Sequence, residues 1–596
     1  MPESPTFSEL LHQRLRSAPE SRRISFVRDG EPDHELTLGQ LDRTARGVAV
    51  RIAELVPPRT PVLLLYPEGV DFAAAFLGCL HSGTTAVPAP LPDRNPRSLD
   101  RLNGILADCP DITLVLTTST YEPVLAEWLS ATGHSDRVRL LSTDHQDDPS
   151  WTDPEAWRQT DVTPDDLALL QYTSGSTSRP RGVMVSHGNL VSNTGEIAGG
   201  LQLGPECLVA GWLPHYHDMG LIGQLLAPLS QGASVATMAP VTFLKRPRRW
   251  LEAVTRFRAT HSAAPDFAYA LCVRTIGAHQ LDGLDLSSWK VSLNGAEPIR
   301  ADVVEAFAGR FSAAGLNPGV LNPSYGMAEA TLLVTRTPVG RNPLVRAVDA
   351  ESLERGEAVR SRLGAPVKRL VGCGFPVEQE LRIVDPETLE VRPDRTVGEI
   401  WSRGASVAQG YRGHEELSRR TFRAVTADGQ GPFLRTGDLG FLDDGELFIT
   451  GRAKDLIIVN GRNIYPQDIE QAVRDLSPAL ESGIGAVFAT GPDKDRIVVI
   501  QETRTTALQG EHVAELAVRL RRAVSREFEL RVEGIALVAR GAIPRTTSGK
   551  VQRALTARLW DTGGLKELYR WSVETRPVGG FDPEAEQEQV VVLSVN

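Results

Sequence analysis

The chain has 596 residues, too many for one hydrophobic core, so we expect a large domain and at least one smaller one. Hydrophobic residues make up 41% and charged residues 23%, which excludes collagen-like, low-complexity and wholly disordered chains. The net charge of −11 argues against a broad nucleic-acid-binding face.

Cysteine usage and the apolar runs predict where the protein works. The five cysteines form no CxxC pair, which is typical of a reducing compartment. The N-terminal residues show no apolar signal core, and the longest apolar runs, residues 62–66 and 72–76, are far shorter than a membrane span. We therefore expect a cytoplasmic protein with no stable membrane insertion and no nucleic-acid partner.

From about residue 60 to residue 330, short apolar runs alternate with helix-like stretches. Strands are predicted at residues 62–66, 84–87 and 112–117, and helices at residues 70–81 and 99–107. This alternation is typical of βαβ units, so the fold class is predicted to be α/β with a parallel sheet.

The pattern changes between about residues 370 and 450, where short β-rich runs are separated by turns. Asp443, Asp444 and Gly445 form a hairpin signal. This stretch predicts a smaller, antiparallel or β-barrel-like subdomain. The remainder is predicted to be α+β, with helices at residues 466–476 and 513–528, a strand at 498–501, and a frayed acidic tail from about residue 573.

A loop rich in Thr, Ser and Gly lies within residues 170–190 (LQYTSGSTSRPRGVMVSHGNL). Small hydroxyl residues and glycine let backbone N–H and side-chain O–H groups converge on an anion. Arg181 adds a fixed positive charge at the end of the loop. A flexible connector is the alternative interpretation. The loop is not a Walker P-loop, because the GxxxxGK[ST] pattern is absent from it.

The segment YTSGSTSRPRG resembles the signature loop of the adenylate-forming (ANL) superfamily, which binds the β- and γ-phosphates of ATP. The resemblance assigns phosphate binding to Thr173, Ser174, Gly175, Ser176, Thr177 and Arg181. Ser178 and Arg181 stand where the superfamily usually has Gly and Lys. Arginine keeps the charge, and serine at position 178 is common in the fatty acyl-AMP ligase branch.

Three further segments resemble the nucleotide site of this superfamily. Residues 294–297 (NGAE) resemble the adenine-side turn, residues 322–329 (NPSYGMAE) the segment whose Tyr stacks on adenine, and residues 435–440 (RTGDLG) the ribose segment. The implied adenine and ribose site comprises Asn294, Gly295, Ala296, Glu297, Ser324, Tyr325, Gly326, Met327, Asp438 and Arg452. Glu329 and Thr173 are implied to hold Mg²⁺. Each segment alone also fits an ordinary turn.

Two segments resemble the moving parts of the superfamily. Residues 451–455 (GRAKD) resemble the hinge, with Lys454 at its centre, and residues 544–550 (PRTTSGK) resemble the loop of the catalytic lysine, Lys550. Lys550 is one of seven lysines in the chain; a solvated surface lysine is the alternative. The implied organisation is an N-terminal adenylation domain (1–452), a hinge (453–455) and a small mobile C-terminal domain (456–596).

The fatty acyl-AMP ligase branch is indicated by residues 211–223 (GWLPHYHDMGLIG) and by residues 243–272, which resemble its acyl-pocket region. The resemblance implies a catalytic role for His217, and an acyl pocket formed by His217, Asp218, Met219, Gly220 and Phe267. A His–Asp pair that holds a loop shut is the alternative. Asp266 stands where the branch usually has Asn.

An insertion at about residues 341–368 also resembles this branch, because the spacing from Glu329 to Pro376 is about twice that of the CoA-using relatives. There the insertion restrains domain rotation and hinders thioester formation with CoA. Long surface loops are more often functional than neutral. A neutral surface decoration is the alternative.

The resemblance as a whole implies an enzyme that uses ATP and Mg²⁺ to convert a fatty acid to fatty acyl-AMP, releasing pyrophosphate. The acyl group then passes to the phosphopantetheine thiol of a separate acyl carrier protein, in lipid, polyketide or lipopeptide biosynthesis. The alternatives are an acyl-CoA synthetase and a non-catalytic nucleotide-binding scaffold. Glu329, Asp438, Arg452 and Lys550 are all present, which argues against the scaffold.

Overall fold

The structure, a computed structural model, describes most of the chain. The described residues are 5–92, 96–144, 153–174, 180–362, 364, 366–459, 461–481, 483–491, 494, 496–503, 513–546 and 549–573. The predicted acidic tail beyond residue 573 lies outside these residues. Three of the predicted phosphate-loop residues, Gly175, Ser176 and Thr177, and the side chain of Ser174 also lie outside them.

Helices occur along the whole described chain. They are α1 (Phe7–Ser17), α2 (Leu38–Leu55), α3 (Val70–His81), α4 (Pro96–Asp108), α5 (Glu122–Ala131), α6 (His187–Leu201), α7 (Ala227–Ser230), α8 (Pro240–Lys245), α9 (Arg248–Phe257), α10 (Asp266–Thr275), α11 (Ala301–Phe311), α12 (Ala350–Glu354), α13 (Glu415–Phe422), α14 (Pro466–Asp475), α15 (Pro478–Glu481), α16 (Val513–Phe528) and α17 (Arg553–Asp561). Within the described residues, none of the helices has the length and apolarity needed to cross a membrane.

The strands alternate with these helices in the first half of the chain and then dominate. They are β1 (Arg23–Val27), β2 (His34–Thr37), β3 (Pro61–Leu65), β4 (Thr85–Ala89), β5 (Leu114–Thr117), β6 (Arg139–Ser142), β7 (Leu167–Ser174), β8 (Pro180–Ser186), β9 (Leu208–Gly211), β10 (Ser234–Met238), β11 (His261–Pro265), β12 (Val291–Gly295), β13 (Leu321–Gly326), β14 (Leu333–Arg336), β15 (Val345–Asp349), β16 (Val367–Val371), β17 (Phe375–Pro376), β18 (Glu380–Val384), β19 (Gly398–Arg403), β20 (Leu434–Asp443), β21 (Glu446–Arg452), β22 (Ile457–Val459), β23 (Arg462–Ile464), β24 (Gly485–Thr490), β25 (Arg496–Thr503), β26 (Arg531–Ala539) and β27 (Glu567–Ser572).

Two large sheets form the N-terminal part. One has the order β6-β5-β3-β4-β7-β8 and is parallel except at the β7–β8 edge. The other has the order β17-β14-β13-β12-β11-β9-β10-β1-β2 and is parallel between β13 and β1. The predicted α/β class is confirmed. Periodicity indicated parallel pairing, but the division into two sheets depends on which strands meet in space.

Helix α3 explains how the two sheets share a core. Every residue of α3 except Asp71 is buried, and its apolar side chains pack in a cluster that includes strand residues of both sheets. A helix that is apolar all round is stable only when it is covered on every side. This arrangement places α3 between the two layers.

Short-range signals fix the ends of several elements. Ser186 accepts from the backbone N–H of Asn189, and the Asn189 side chain accepts from the backbone N–H of Ser186, so a reciprocal cap starts α6. Asp444 and Gly445 both have positive φ, 55° and 78°, which is the geometry of a two-residue hairpin turn between β20 and β21. The hairpin was predicted from the sequence, whereas the cap was not.

The predicted antiparallel unit is a four-stranded sheet with the order β18-β19-β20-β21. The predicted insertion, at about residues 341–368, contains regular secondary structure. Strands β15 and β16 pair as an antiparallel ladder, and α12 follows β15 directly. Backbone hydrogen bonds thus satisfy groups that a loop would leave to water.

The C-terminal part has its own sheet and core. Its sheet has the order β24-β25-β26-β27, and α14 and α16 contribute to a separate hydrophobic cluster with it. Helix α16 begins and ends at the predicted residues, Val513 and Phe528. The chain therefore has a large N-terminal domain and a small C-terminal domain.

Replacing Trp250 tests the core beside the nine-stranded sheet. Trp250 is fully buried, donates from Nε1 to Ser262 Oγ at 2.9 Å, and packs edge-on against Tyr269 and Trp289. We expect Trp250→Ala to lower the free energy of unfolding by about 3–5 kcal/mol, because it leaves a cavity. Urea unfolding followed by circular dichroism measures this, with Trp250→Phe as the milder variant. An unchanged urea midpoint for Trp250→Ala would contradict the packing described.

Candidate active site

A cavity of about 550 Å³ opens at the carboxyl ends of β12 and β13, next to the β20–β21 hairpin and the loop before α17. Open α/β sheets bind ligands at this edge. Many of the predicted site residues line the cavity: Thr173, Arg181, His217, Asp218, Met219, Gly295, Ala296, Ser324, Tyr325, Gly326, Met327, Glu329, Asp438, Arg452, Lys454 and Lys550. These residues come from segments far apart in sequence, and folding brings them together.

Four predicted site residues that the structure describes do not line this cavity: Asn294, Glu297, Gly220 and Phe267. Asn294 is buried and donates its amide to Asp266 Oδ1 at 3.2 Å. Glu297 Oε1 accepts from the backbone N–H of Phe267 at 2.6 Å. Burial, reinforced by the Asp266 carboxylate, raises the pKa of Glu297 to about 7. Asn294 and Glu297 therefore contact residues that do not line the cavity.

Asp438 is the centre of a compact polar group. Its Oδ2 accepts from the Tyr325 hydroxyl at 2.9 Å, and its Oδ1 lies 3.1 Å from Arg452 Nε. Asp438 and Arg452 are cross-strand neighbours, because Asp438 on β20 pairs directly with Arg452 on β21. The Asp438 carboxylate raises the pKa of Arg452, which keeps that guanidinium charged. A fixed carboxylate beside an aromatic ring is suited to accept from hydroxyl groups.

Glu329 is held by a residue that the sequence did not single out. The Tyr411 hydroxyl donates to Glu329 Oε1 at 2.7 Å. The guanidinium of Arg181 lies 5.9 Å from the centre of the Tyr411 ring, so the three side chains form one wall of the cavity. Tyr411 comes from the stretch after β19, and no sequence motif used above marks it.

His217 and Asp218 form a pair at the start of an unusual helical segment. His217 Nδ1 lies 2.6 Å from Asp218 Oδ1, which also accepts from the backbone N–H of Met219 at 2.7 Å. Residues Met219–Leu226 are wound as a π-helix, a rare geometry that is frequent at functional sites. Burial raises the pKa of Asp218, but the His217 imidazole and the Lys550 ammonium outweigh it, so the net shift is downward.

Lys550 is presented by a closed turn. The backbone N–H of Lys550 donates to Thr546 Oγ1 at 3.1 Å, and the backbone N–H of Thr546 donates to the Lys550 carbonyl at 2.8 Å. Burial, followed by the nearby Arg452 guanidinium, lowers the pKa of Lys550. The Asp218 carboxylate acts in the opposite sense. Lys550 is therefore a cation held in a pocket of mixed charge rather than on an open surface.

Arg553 anchors this turn to the rest of the C-terminal domain. It makes two parallel contacts of 2.8 Å with the Glu470 carboxylate on α14. Its third nitrogen lies 3.1 Å from Asp455 Oδ2. Asp455 belongs to the predicted hinge, and Arg553 is three residues after Lys550. Bidentate Arg–carboxylate pairs are directional, so this contact fixes the lysine loop relative to the hinge.

The cavity also has an apolar side. Its walls include Ile197, Met219, Leu293, Leu332 and Leu333. Except for Met219, sequence reasoning missed these residues, because they come from α6 and from the strands and turns of the nine-stranded sheet. An apolar wall beside a charged wall suits a ligand with a hydrocarbon chain and an ionic group at its end.

Two family profiles match the chain. The profile described as AMP-binding enzyme matches residues 11–412, and the profile described as Disco-interacting protein 2-like, AMP domain, matches residues 454–569. The second match begins at residue 454, within the predicted hinge, and the first ends at residue 412.

Curated proteins and solved structures similar to the chain cover nearly its whole length. The medium-chain-fatty-acid–[acyl-carrier-protein] ligase JamA of Moorena producens is 40% identical over 93% of this chain and 94% of its own length. The long-chain-fatty-acid–AMP ligase FadD26 of Mycobacterium marinum is 36% identical over 94% of this chain and 98% of its own. The fatty acyl-adenylate ligase of Legionella pneumophila, solved with acyl adenylate and pyrophosphate, is 34% identical with a TM-score of 0.73, covering 95% of this chain and 98% of that chain.

Neutralising Asp438 tests the polar group at the centre of the cavity. We expect Asp438→Asn to weaken binding of AMP by about tenfold or more, because hydrogen bonds to a charged acceptor are worth roughly 1.5–3 kcal/mol. Isothermal titration calorimetry measures this. Asp444→Asn is the matched control, since Asp444 is exposed in the same hairpin. Equal AMP affinity for the two variants would remove Asp438 from the nucleotide site.

Proposed function

The chain belongs to the AMP-binding enzyme family, and on this premise we propose that it activates a fatty acid with ATP, giving fatty acyl-AMP and pyrophosphate. The acyl group then passes to the phosphopantetheine thiol of a separate acyl carrier protein. The observation that carries this proposal is the cavity itself, where an apolar wall meets Lys550, Glu329 and the Asp438 group. The similarity to the ligases JamA and FadD26 supports the same chemistry.

The barrier to the first step is the approach of two anions. A carboxylate oxygen attacks the α-phosphorus of ATP, and pyrophosphate leaves from the opposite side. The Lys550 ammonium offsets the repulsion between carboxylate and phosphate, and Arg181 supports the phosphate end of the cavity. Tyr325 and Asp438 hold the adenosine end. No side-chain nucleophile is needed, because the carboxylate itself forms the new bond.

The residues at the phosphate end fit a magnesium ion. Glu329 and Thr173 both line the cavity and offer carboxylate and hydroxyl oxygens, the donor types that Mg²⁺ prefers. Tyr411 orients the Glu329 carboxylate for this role. When bound, Mg²⁺ neutralises charge on the phosphates.

The five free cysteines, all buried, and the need for ATP fit a cytoplasmic enzyme.

The second step needs Lys550 to leave the cavity, so that a thiol can reach the acyl carbonyl. Lys454 lies in a short turn, Ala453–Asp455, between β21 and β22, where a change of a few backbone dihedrals would rotate everything after it. Because Arg553 ties the lysine loop to Asp455 and Glu470, the loop would move with the domain as one body.

The folded insertion braces the domain against this rotation. Lys368 Nζ lies 2.5 Å from Asp468 Oδ2, and Glu354 Oε2 accepts from Arg462 Nε at 2.7 Å. Both partners belong to the chain after the hinge. At its other end the insertion is bound to the N-terminal domain, since Arg346 Nε lies 2.7 Å from Asp443 Oδ2.

This brace favours a carrier protein over CoA as the acceptor. Free CoA brings only its own binding energy to a rotated state, whereas a carrier protein adds a protein surface that can stabilise that state. An acyl-CoA synthetase remains the second candidate function. Offering CoA and phosphopantetheinylated carrier protein side by side distinguishes the two.

Replacing the lysine tests the first step. We expect Lys550→Ala to lower acid-dependent pyrophosphate release by roughly 10²–10³-fold, because it removes a preorganised cation from the reacting centre. Lys566→Ala is the matched control, since Lys566 is an exposed lysine of the same domain. Circular dichroism checks that both variants fold. Near-normal release by Lys550→Ala would remove this residue from the mechanism, and no release by the unaltered protein with any acid would favour a scaffold.

Cutting the brace tests the role of the insertion. We expect Lys368→Ala combined with Glu354→Ala to raise thioester formation with CoA about threefold to tenfold, since each part-exposed ion pair contributes up to ~1 kcal/mol. Acyl-AMP formation should not change, because neither residue lines the cavity. Arg360→Ala, an exposed change within the insertion, is the control. An unchanged ratio of CoA to carrier use would show that the contacts do not restrain rotation.

A further inference from the structure

Three helices bring two histidines and an aspartate together outside the active-site cavity. His12 lies on α1, Asp42 on α2 and His81 on α3, and none of them lines the cavity. One nitrogen of each histidine and one carboxylate oxygen all lie within 4.8 Å of one another. The side chains of Asp42 and His81 are 2% and 0% exposed, and that of His12 is 21% exposed. The reaction described above gives this group no part.

His81 has one ring nitrogen satisfied and one without a partner. Its Nδ1 lies 2.8 Å from Ser8 Oγ. Its Nε2 is buried, has no hydrogen-bond partner among the described residues, and lies 3.7 Å from Asp42 Oδ1, too far for a hydrogen bond. If Nδ1–H donates to Ser8, the Nε2 lone pair points into the cluster. Metal-binding histidines are commonly held this way, with the second nitrogen bound to an oxygen.

The other two side chains are placed in the same manner. Asp42 Oδ2 accepts from Arg46 Nε at 3.1 Å, which leaves Oδ1 for the cluster. Oδ1 lies 2.7 Å from His12 Nδ1. The Trp157 ring covers both imidazoles, with ring centres 4.9 Å from His12 and 5.3 Å from His81. An apolar cover beside a few convergent donors lowers the competition from water.

We propose that His12 Nδ1, His81 Nε2 and the Asp42 carboxylate bind a divalent cation of the zinc class, with water as a fourth ligand. Imidazole nitrogens select zinc, cobalt or nickel over magnesium and calcium, which prefer oxygen ligands throughout. Binding needs a small contraction of the cluster. The hydrogen that His12 Nδ1 now shares with Asp42 moves to Nε2, on the more exposed side of the ring. The ion ties the N-terminal helix α1 to α2 and α3, so its role is structural.

Cobalt titration of the full chain, after treatment with a chelator, tests this proposal. Co²⁺ in a four-coordinate site of nitrogen and oxygen ligands gives intense visible bands, unlike the aqueous ion. We expect a stoichiometry of about one Co²⁺ per chain, displaced by Zn²⁺. His12→Gln should bind Co²⁺ at least ~10-fold more weakly. His12 is partly exposed, so this variant should fold, and His279→Gln, an exposed histidine elsewhere, is the matched control.

Thermal unfolding gives a second readout, which does not depend on the visible absorption bands of Co²⁺. Zn²⁺ should raise the unfolding midpoint of the unaltered chain and of His279→Gln, but not that of His12→Gln, because a ligand that binds only the folded state stabilises it. Acid-dependent pyrophosphate release should stay unchanged in His12→Gln. Equal Co²⁺ spectra for the chain and His12→Gln, or no shift of the midpoint with Zn²⁺, would overturn the proposal and leave a hydrogen-bonded cluster only.

Discussion

Opposite charges held together in one cavity are the constraint on which the rest of the structure depends. Lys550 lies among carboxylates that belong to other parts of the chain, including Asp218, Glu329 and Asp438, and these oppose the loss of its proton. Such a cation offsets the repulsion between a carboxylate and a triphosphate. In the proposed second step the same cation would obstruct the incoming thiol. Its place after the predicted hinge would let one residue be present in one step and absent in the next.

Two kinds of contact surround the predicted hinge, and they differ in strength. One kind holds the lysine loop to the hinge, and the other joins the insertion to the C-terminal domain. Arg553 makes bidentate contacts with buried Glu470 and a further contact with Asp455, so the lysine loop is fixed to the predicted hinge. Between the domains, the brace consists of part-exposed pairs such as Lys368–Asp468. Part-exposed pairs contribute little each, so they bias a rotation without blocking it.

The cavity is also the place where acid recognition and phosphate chemistry meet. The π-helix begins directly after Asp218, so Asp218 of the charged wall and Met219 of the apolar wall are adjacent residues. Tyr411 crosses from the stretch after β19 to hold Glu329. Each of these contacts joins elements that are remote in sequence, so the site exists only when both large sheets and the antiparallel sheet are assembled. This dependence explains why catalytic geometry and domain folding are coupled here.

The sequence predicted those structural features that depend only on residues within a short segment. The hairpin at Asp444 and Gly445 and the bounds of α16 were predicted from local residue patterns. The motif at residues 544–550 likewise singled out Lys550, which lines the cavity. The contact of Tyr411 with Glu329, the leucine wall and the folding of the insertion into a paired ladder were decided by the tertiary structure. Periodicity and motifs report on neighbours along the chain, whereas these contacts join side chains that only packing brings within reach.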